Sequence, residues 1–194
     1  MTSSYDAVLS DLDGVLRQFD HAVQANIEAR YGLPLIKTAF APDRIQPAVL
    51  GHITEAQWVE SIAEALGGDE RARQAAAEFA QVPFWVDEEV RALLAEAQQR
   101  VPVILVTNAM DTLEAHLDLL GLTHFADAVV SSARVGLAKP DPRIYELAAE
   151  IAGVAPERCL FVDDRPENVA AARALGMIGV HFTAPDDLAD ALGR

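Results

Sequence analysis

Two aspartates one residue apart, Asp11 and Asp13, follow the apolar run Ala7-Val8-Leu9 and precede Gly14. Side chains two apart in a strand project to one face, so these carboxylates lie side by side. They repel unless a cation or a shared proton relieves them, and a hard divalent ion with oxygen ligands, Mg²⁺ above all, meets that need. A second acidic pair, Asp163-Asp164, closes the run Leu160-Phe161-Val162. Thr107-Asn108 closes a third, Val103-Ile104-Leu105-Val106, with a hydroxyl and an amide suited to phosphoryl oxygens. Taken singly, each pair also fits an ordinary acidic or helix-entry turn. Their common place at strand ends gives the set its weight.

Lys139, directly before Pro140, is one of two lysines in a chain with thirteen arginines. Lysine carries a compact ammonium on a flexible stem, whereas the arginine fork is broad and planar. A lysine kept at a turn in so arginine-rich a chain suggests a point charge aimed at developing negative charge. Together the four clusters read as a phosphoryl-transfer site with an aspartate nucleophile and a divalent metal.

The elements that must position these groups alternate. The apolar runs above, with Ala128-Val129-Val130 and Gly179 to Phe182, suit parallel strands covered on both faces. Between them Asp87 caps a helix over Glu88 to Arg100, with Val90, Leu93, Leu94 and Ala97 on one face. Asp111 and Glu114 form a candidate capping box before a helix ending at Gly121. Asp141-Pro142 and Arg165-Pro166 open two more helices, which end near Gly153 and Gly176. The class is α/β, a Rossmann-like parallel sheet flanked by helices.

Residues 18–85 break the alternation. They hold no convincing strand, and Ile27, Val49, Trp58, Ile62 and Phe79 fall at helical spacing. Thr54 and Gln57 form a capping box ahead of Trp58. The expected division is a core domain over 1–17 and 86–194, with a helical cap subdomain over 18–85.

Length and composition bound the function. A chain of 194 residues, 51% hydrophobic and 23% charged, can bury one sizeable core. A net charge of −15 disfavours nucleic acid, which binds proteins through Lys and Arg. An anionic small substrate remains compatible, because a bound metal reverses the local field. The single cysteine, Cys159, excludes an internal disulfide and reads as a buried small side chain. The first residues show neither a basic leader nor a spanning apolar run, so a cytoplasmic protein without membrane contact is expected.

The motifs Val8 to Leu16, Thr107-Asn108, Lys139-Pro140-Asp141-Pro142 and Phe161 to Asn168 occur in an order that resembles the haloacid dehalogenase superfamily. The resemblance runs from Tyr5 to about Phe182, and the insert matches the family's helical cap after the first motif. It implies Asp11 as nucleophile and Asp13 as general acid and base. It implies Mg²⁺ held by the Asp11 carboxylate, the Asp13 carbonyl and Asp164, with Asp163 behind. Thr107, Asn108, Gly14 and Lys139 would hold the phosphoryl group.

Ser10 occupies a usually apolar place and is expected to matter structurally only. Arg17 reads more readily as a solvated surface arginine than as a substrate contact. None of the five histidines forms a metal pattern, and Trp58 and Trp85 read as cap and hinge packing.

The implied activity is Mg²⁺-dependent hydrolysis of a small phosphate ester, such as a sugar phosphate, by a monomer or weak homodimer. A phosphomutase would use the same residues. A dehalogenase would leave Asp13 and the Asp163-Asp164 pair idle. A non-catalytic phosphate-binding module, like a bacterial receiver domain, would lack the long insert.

Overall fold

The structure, a computed structural model, describes residues 5–193; residues 1–4 and 194, within the expected core boundaries, lie outside them. Strand β1 (Ala7–Ser10) is buried along its whole length. After it the chain turns at Gly14 and runs into β2 (Arg17–Phe19). An insertion of five helices follows: α1 (His21–Tyr31), α2 (Leu35–Ala39), α3 (Pro42–Val49), α4 (Glu55–Ala65) and α5 (Glu70–Ala80). The chain returns through β3 (Phe84–Val86), which pairs antiparallel with β2 as Arg17↔Val86, Gln18↔Trp85 and Phe19↔Phe84.

This ribbon corrects the expectation that residues 18–85 hold no strand. Three-residue strands are too short to display a period, although Phe84, Trp85 and Val86 are of the β-favouring types. The expected boundaries at 17/18 and 85/86 fall inside it.

From α6 (Glu88–Gln98) onward, strands and helices alternate. Next come β4 (Val103–Thr107), α7 (Leu113–Leu119), β5 (Ala128–Ser131), the short α8 (Ser132–Val135) and α9 (Pro142–Ala152). The last elements are β6 (Cys159–Asp163), α10 (Pro166–Ala174), β7 (Ile178–His181) and α11 (Pro185–Leu192). The sheet order is β5-β4-β1-β6-β7, and every pairing in it is parallel. The α/β class is as expected.

Helix entry follows the sequence signals closely. Asp87 accepts from the backbone of Glu89 and Val90, Asp141 from that of Arg143, and Thr54 with Gln57 completes its capping box. The box expected at Asp111 and Glu114 does not form. Asp111 instead accepts from the backbone N–H of Glu55 at 2.7 Å, across to the first turn of α4. That N–H has no partner within its own helix, and the loop after β4 faces the insertion. The Thr112 hydroxyl adds a bond to the Glu55 carboxylate.

The sheet packs apolar side chains on both faces. Leu12 and Leu16 join Val8, Leu94 and Leu105 on one side, while Leu9 joins Ile104, Tyr145 and Phe161 on the other. Each fully buried leucine contributes about 1.5–3 kcal/mol, so the loop bearing Asp11 and Asp13 is anchored on both sides. The insertion has its own core around Leu35, Trp58, Ile62 and Phe79. It meets the domain beneath at Gly51, where a Cβ would strike the Ala133 carbonyl of α8. Among the described residues, no helix is long and apolar enough to cross a membrane.

Candidate active site

Asp11, Thr107 and Asp163 stand at the C-terminal ends of three adjacent strands, where open parallel sheets gather their ligands. Asp11 is buried, and its Oδ1 lies 2.7 Å from Lys139 Nζ and accepts the Leu12 backbone N–H at 2.7 Å. Lys139 Nζ also meets Asp163 Oδ2 at 2.7 Å, with only 1% of the lysine side chain exposed. The Lys139–Pro140 peptide is cis. Burial alone would lower the lysine pKa, but the two carboxylates outweigh it and hold it above its ordinary value. Burial pushes the Asp11 carboxyl well up; Lys139 opposes this, and Asp163 and Asp13 add to it.

The acids of the second pair divide in character. Asp163 is wholly buried and its oxygens accept from Lys139, Asn168 Nδ2 and the Arg165 backbone. Asp164 is exposed, and burial of part of its carboxyl, then the Asp163 charge, raises its pKa. Oxygens of Asp11, Asp163 and Asp164 lie within 4.8 Å of one another. Three carboxylates so close, two with raised pKa values, are what a divalent cation would relieve. The donor set therefore fits a hard oxygen-seeking metal.

Gly14 explains how the two strand ends come so near. It holds φ at +79°, and a Cβ there would strike the Asp164 carboxylate. Thr107 Oγ1 is buried without a hydrogen-bond partner among the described residues. Such an orphan costs about 1–3 kcal/mol, a cost that a ligand oxygen would remove. The Asn108 side-chain amide is turned elsewhere: it donates to the Lys139 carbonyl at 2.9 Å and accepts from the Lys139 N–H at 2.8 Å. It fixes the lysine loop. Ser10 is buried and donates to the Asp11 carbonyl, a structural contact as expected.

Arg17 overturns its sequence reading. It is not solvated but 4% exposed, and it grips both oxygens of Asp13. Its guanidinium lies 5.2 Å from the Phe19 ring centroid and 5.4 Å from that of Phe84. Nη1 faces His116 Nδ1 at 3.2 Å. His116, unremarkable in the sequence, thus borders the site. The signal for Arg17 was its place four residues after Asp13 and two before Phe19. Trp58 packs within the insertion and donates to the Ala39 carbonyl, whereas Trp85 is exposed.

A cavity of about 800 Å³ opens over these acids, lined by Asp11, Asp13, Thr107, Lys139 and Asp164 below and by α3 above. A smaller one of about 280 Å³ adjoins it beneath the insertion.

The sequence model for haloacid dehalogenase-like hydrolases matches residues 5–176, and the chain belongs to that family. Several of its relatives bear phosphatase names. It is 34% identical over 167 residues to a phosphoserine phosphatase of Thermus thermophilus, covering 82% of this chain and 64% of that protein's length. It is 31% identical over 185 residues to phosphatase MT3486 of Mycobacterium tuberculosis, covering 90% of this chain and 85% of the relative. Among solved structures, a HAD family enzyme of Bacteroides thetaiotaomicron in complex with magnesium and inorganic phosphate superposes with a TM-score of 0.73. That match has 24% identity and covers 89% of this chain and 91% of the other.

Proposed function

We propose that this hydrolase is a Mg²⁺-dependent phosphatase acting on a small phosphate ester through an aspartyl-phosphate. The observation that carries the reading is a buried Asp11 clamped by Lys139, with Asp13 and Thr107, whose buried hydroxyl has no partner among the described residues, lining the same cavity. The phosphatase names of the relatives and the magnesium and phosphate of the fold neighbour support it.

In this reading an Asp11 oxygen attacks phosphorus while the bond to the leaving oxygen breaks, and Asp13 gives that oxygen its proton. Water, deprotonated by Asp13, then attacks phosphorus, freeing Asp11 and inorganic phosphate. Asp11, Asp164 and the Asp13 carbonyl would hold Mg²⁺, whose positive charge offsets the repulsion between a phosphate dianion and the acids. Asp163 orients Lys139 from behind. Thr107, Lys139 and the turn at Gly14 surround the phosphoryl group, with Asn108 steadying the lysine. Residues 18–85 serve as the cap that encloses the ester and selects it. A cytoplasmic setting belongs to the same proposal. The expectation of a sugar rests on enclosure, and the name of one relative, hexitol phosphatase A of Escherichia coli, accords with it; the apolar walls of the smaller cavity speak for a less polar leaving group.

Phosphate release from phenyl phosphate tests the proposal. Asp11→Asn should abolish turnover with the fold intact, and chelation with EDTA should do the same reversibly. Full activity under either condition would overturn it. Transfer of phosphate to a second hydroxyl instead of water would replace hydrolysis with a mutase reaction.

A further inference from the structure

The smaller cavity begins where the larger one ends, and Asp13, Asn108 and Phe40 line both. Asp11, Lys139 and Asp164 line only the larger. We propose that the smaller lobe receives the leaving group of the phosphate ester, and that this group is an apolar alcohol rather than a sugar. Its body would be one aromatic ring or a short hydrocarbon chain. The inference rests on the phosphatase reading above.

Position is the first argument. The leaving oxygen must sit at Asp13, which in that reading protonates it. A substituent on that oxygen continues into the space beyond Asp13, away from Asp11.

The walls are the second. Phe40, Trp58, Phe79, Phe84, Met110 and Leu113 surround this space. Phe40 remains 53% exposed, a large apolar ring left at the mouth of the cavity. At about 280 Å³ the lobe lies just below the usual size of ligand pockets, roughly 300 to 1,000 Å³, as suits part of a ligand.

The third argument is that several polar groups on the wall already have partners there. Arg17 is spent on Asp13 and faces His116, the Thr112 hydroxyl binds Glu55, and His21 Nδ1 meets Gln24 Oε1 at 2.8 Å. A polyol would leave water for a wall made mostly of apolar side chains, and each hydroxyl left unpaired there weakens binding. An apolar body loses nothing by leaving water and gains the burial. Asp13 and Glu55 on the wall also repel a carboxylate or a second phosphate on the leaving group. A neutral apolar alcohol meets every condition.

The test compares kcat/KM for phenethyl and hexyl phosphate with glucose 6-phosphate and glycerol 3-phosphate, and includes acetyl phosphate, whose leaving group is too small to fill the lobe. The apolar esters should exceed the polyol esters by about tenfold or more. Ile45→Trp, on the α3 wall that borders both cavities, should cut the ratio of phenethyl to acetyl phosphate by about tenfold. Phe40→Ser, at an exposed position where folding is safe, should lower the same ratio several-fold. Polyol esters turned over as well as the apolar ones, or a ratio unmoved in both variants, would overturn the inference while the phosphatase reading stands. No turnover of any of these compounds, the acyl phosphate included, would sink both.

Discussion

Arg17 holds Asp13 with two parallel bonds, Nε to Oδ1 at 2.5 Å and Nη2 to Oδ2 at 2.9 Å, from the first residue of the ribbon that carries the insertion. The carboxylate assigned to proton transfer is thereby tied to the stem of the segment assigned to enclosing the substrate. A bidentate fork fixes direction as well as distance. Asp13 is thus aimed by an element outside the strand that bears Asp11.

Replacing Arg17 by Gln should therefore cost both stability and aim. Removing one partner of a buried pair costs about 3–5 kcal/mol; with 34% of the Asp13 side chain exposed, solvent reduces this to about 2 kcal/mol. Turnover of alkyl esters should fall by roughly ten- to a hundredfold through misplacement of the acid. Urea unfolding and steady-state kinetics would read the two losses. Wild-type values in both would show the fork to be incidental.

Lys139→Arg keeps the charge and destroys the fit. The ammonium sits buried 2.7 Å from each of two carboxylates, and a guanidinium is too wide to fit between them. Turnover should drop by on the order of a hundredfold or more, with an overpacking cost of about 1–3 kcal/mol. Near-normal kinetics would mean that charge alone suffices.

Asp163 and Asp164 should separate cleanly. Asp164→Asn should raise the Mg²⁺ concentration needed for half-maximal turnover by about 10–100-fold, with the melting temperature little changed. Asp163→Asn breaks bonds to Lys139 and Asn168 in a fully buried place, so it should lower the melting temperature markedly. A magnesium titration and thermal melts of both variants decide it; the reverse pattern would exchange their roles.

Much of this was legible in the sequence because it is local. The apolar runs mark β1, β4, β5 and β6, the acids stand at the ends of β1 and β6, and Asp87, Asp141 and Thr54 cap the helices they precede. What was missed depends on contacts across the fold. Asp111 pairs with Glu55, 56 positions away, and not with its own helix. Arg17 owes its burial to Phe84, which only the return of the chain through β3 brings near. Asn108 has the composition of a phosphate ligand, yet its side chain serves the Lys139 backbone. Residue type told which groups were able to do chemistry; partners distant in sequence decided where each is held.

His116 gives a pH signature. Burial, then the Arg17 charge, hold its pKa below the ordinary 6.5, with Glu55 and Asp13 pulling the other way. Between the folded and unfolded values the unfolded chain binds more protons, so stability rises with pH through that window. The contribution is complete above the unfolded value and is lost as pH falls through the folded one. His116→Gln should remove this slope, seen as a smaller difference in melting temperature between about pH 5 and about pH 8. Parallel curves for the variant and the wild type would refute it.

Cys159, the chain's single thiol, is fully buried at the start of β6, and burial pushes its pKa up to about 11. To any thiol-directed label at neutral pH the native surface is blank. Cysteines introduced at exposed Arg71 on α5 and Glu150 on α9 would take a spin-label pair with the natural residue left in place. The inert sulfur thus makes the protein its own ruler, able to report the distance between the insertion and the sheet with and without a bound phosphate ester.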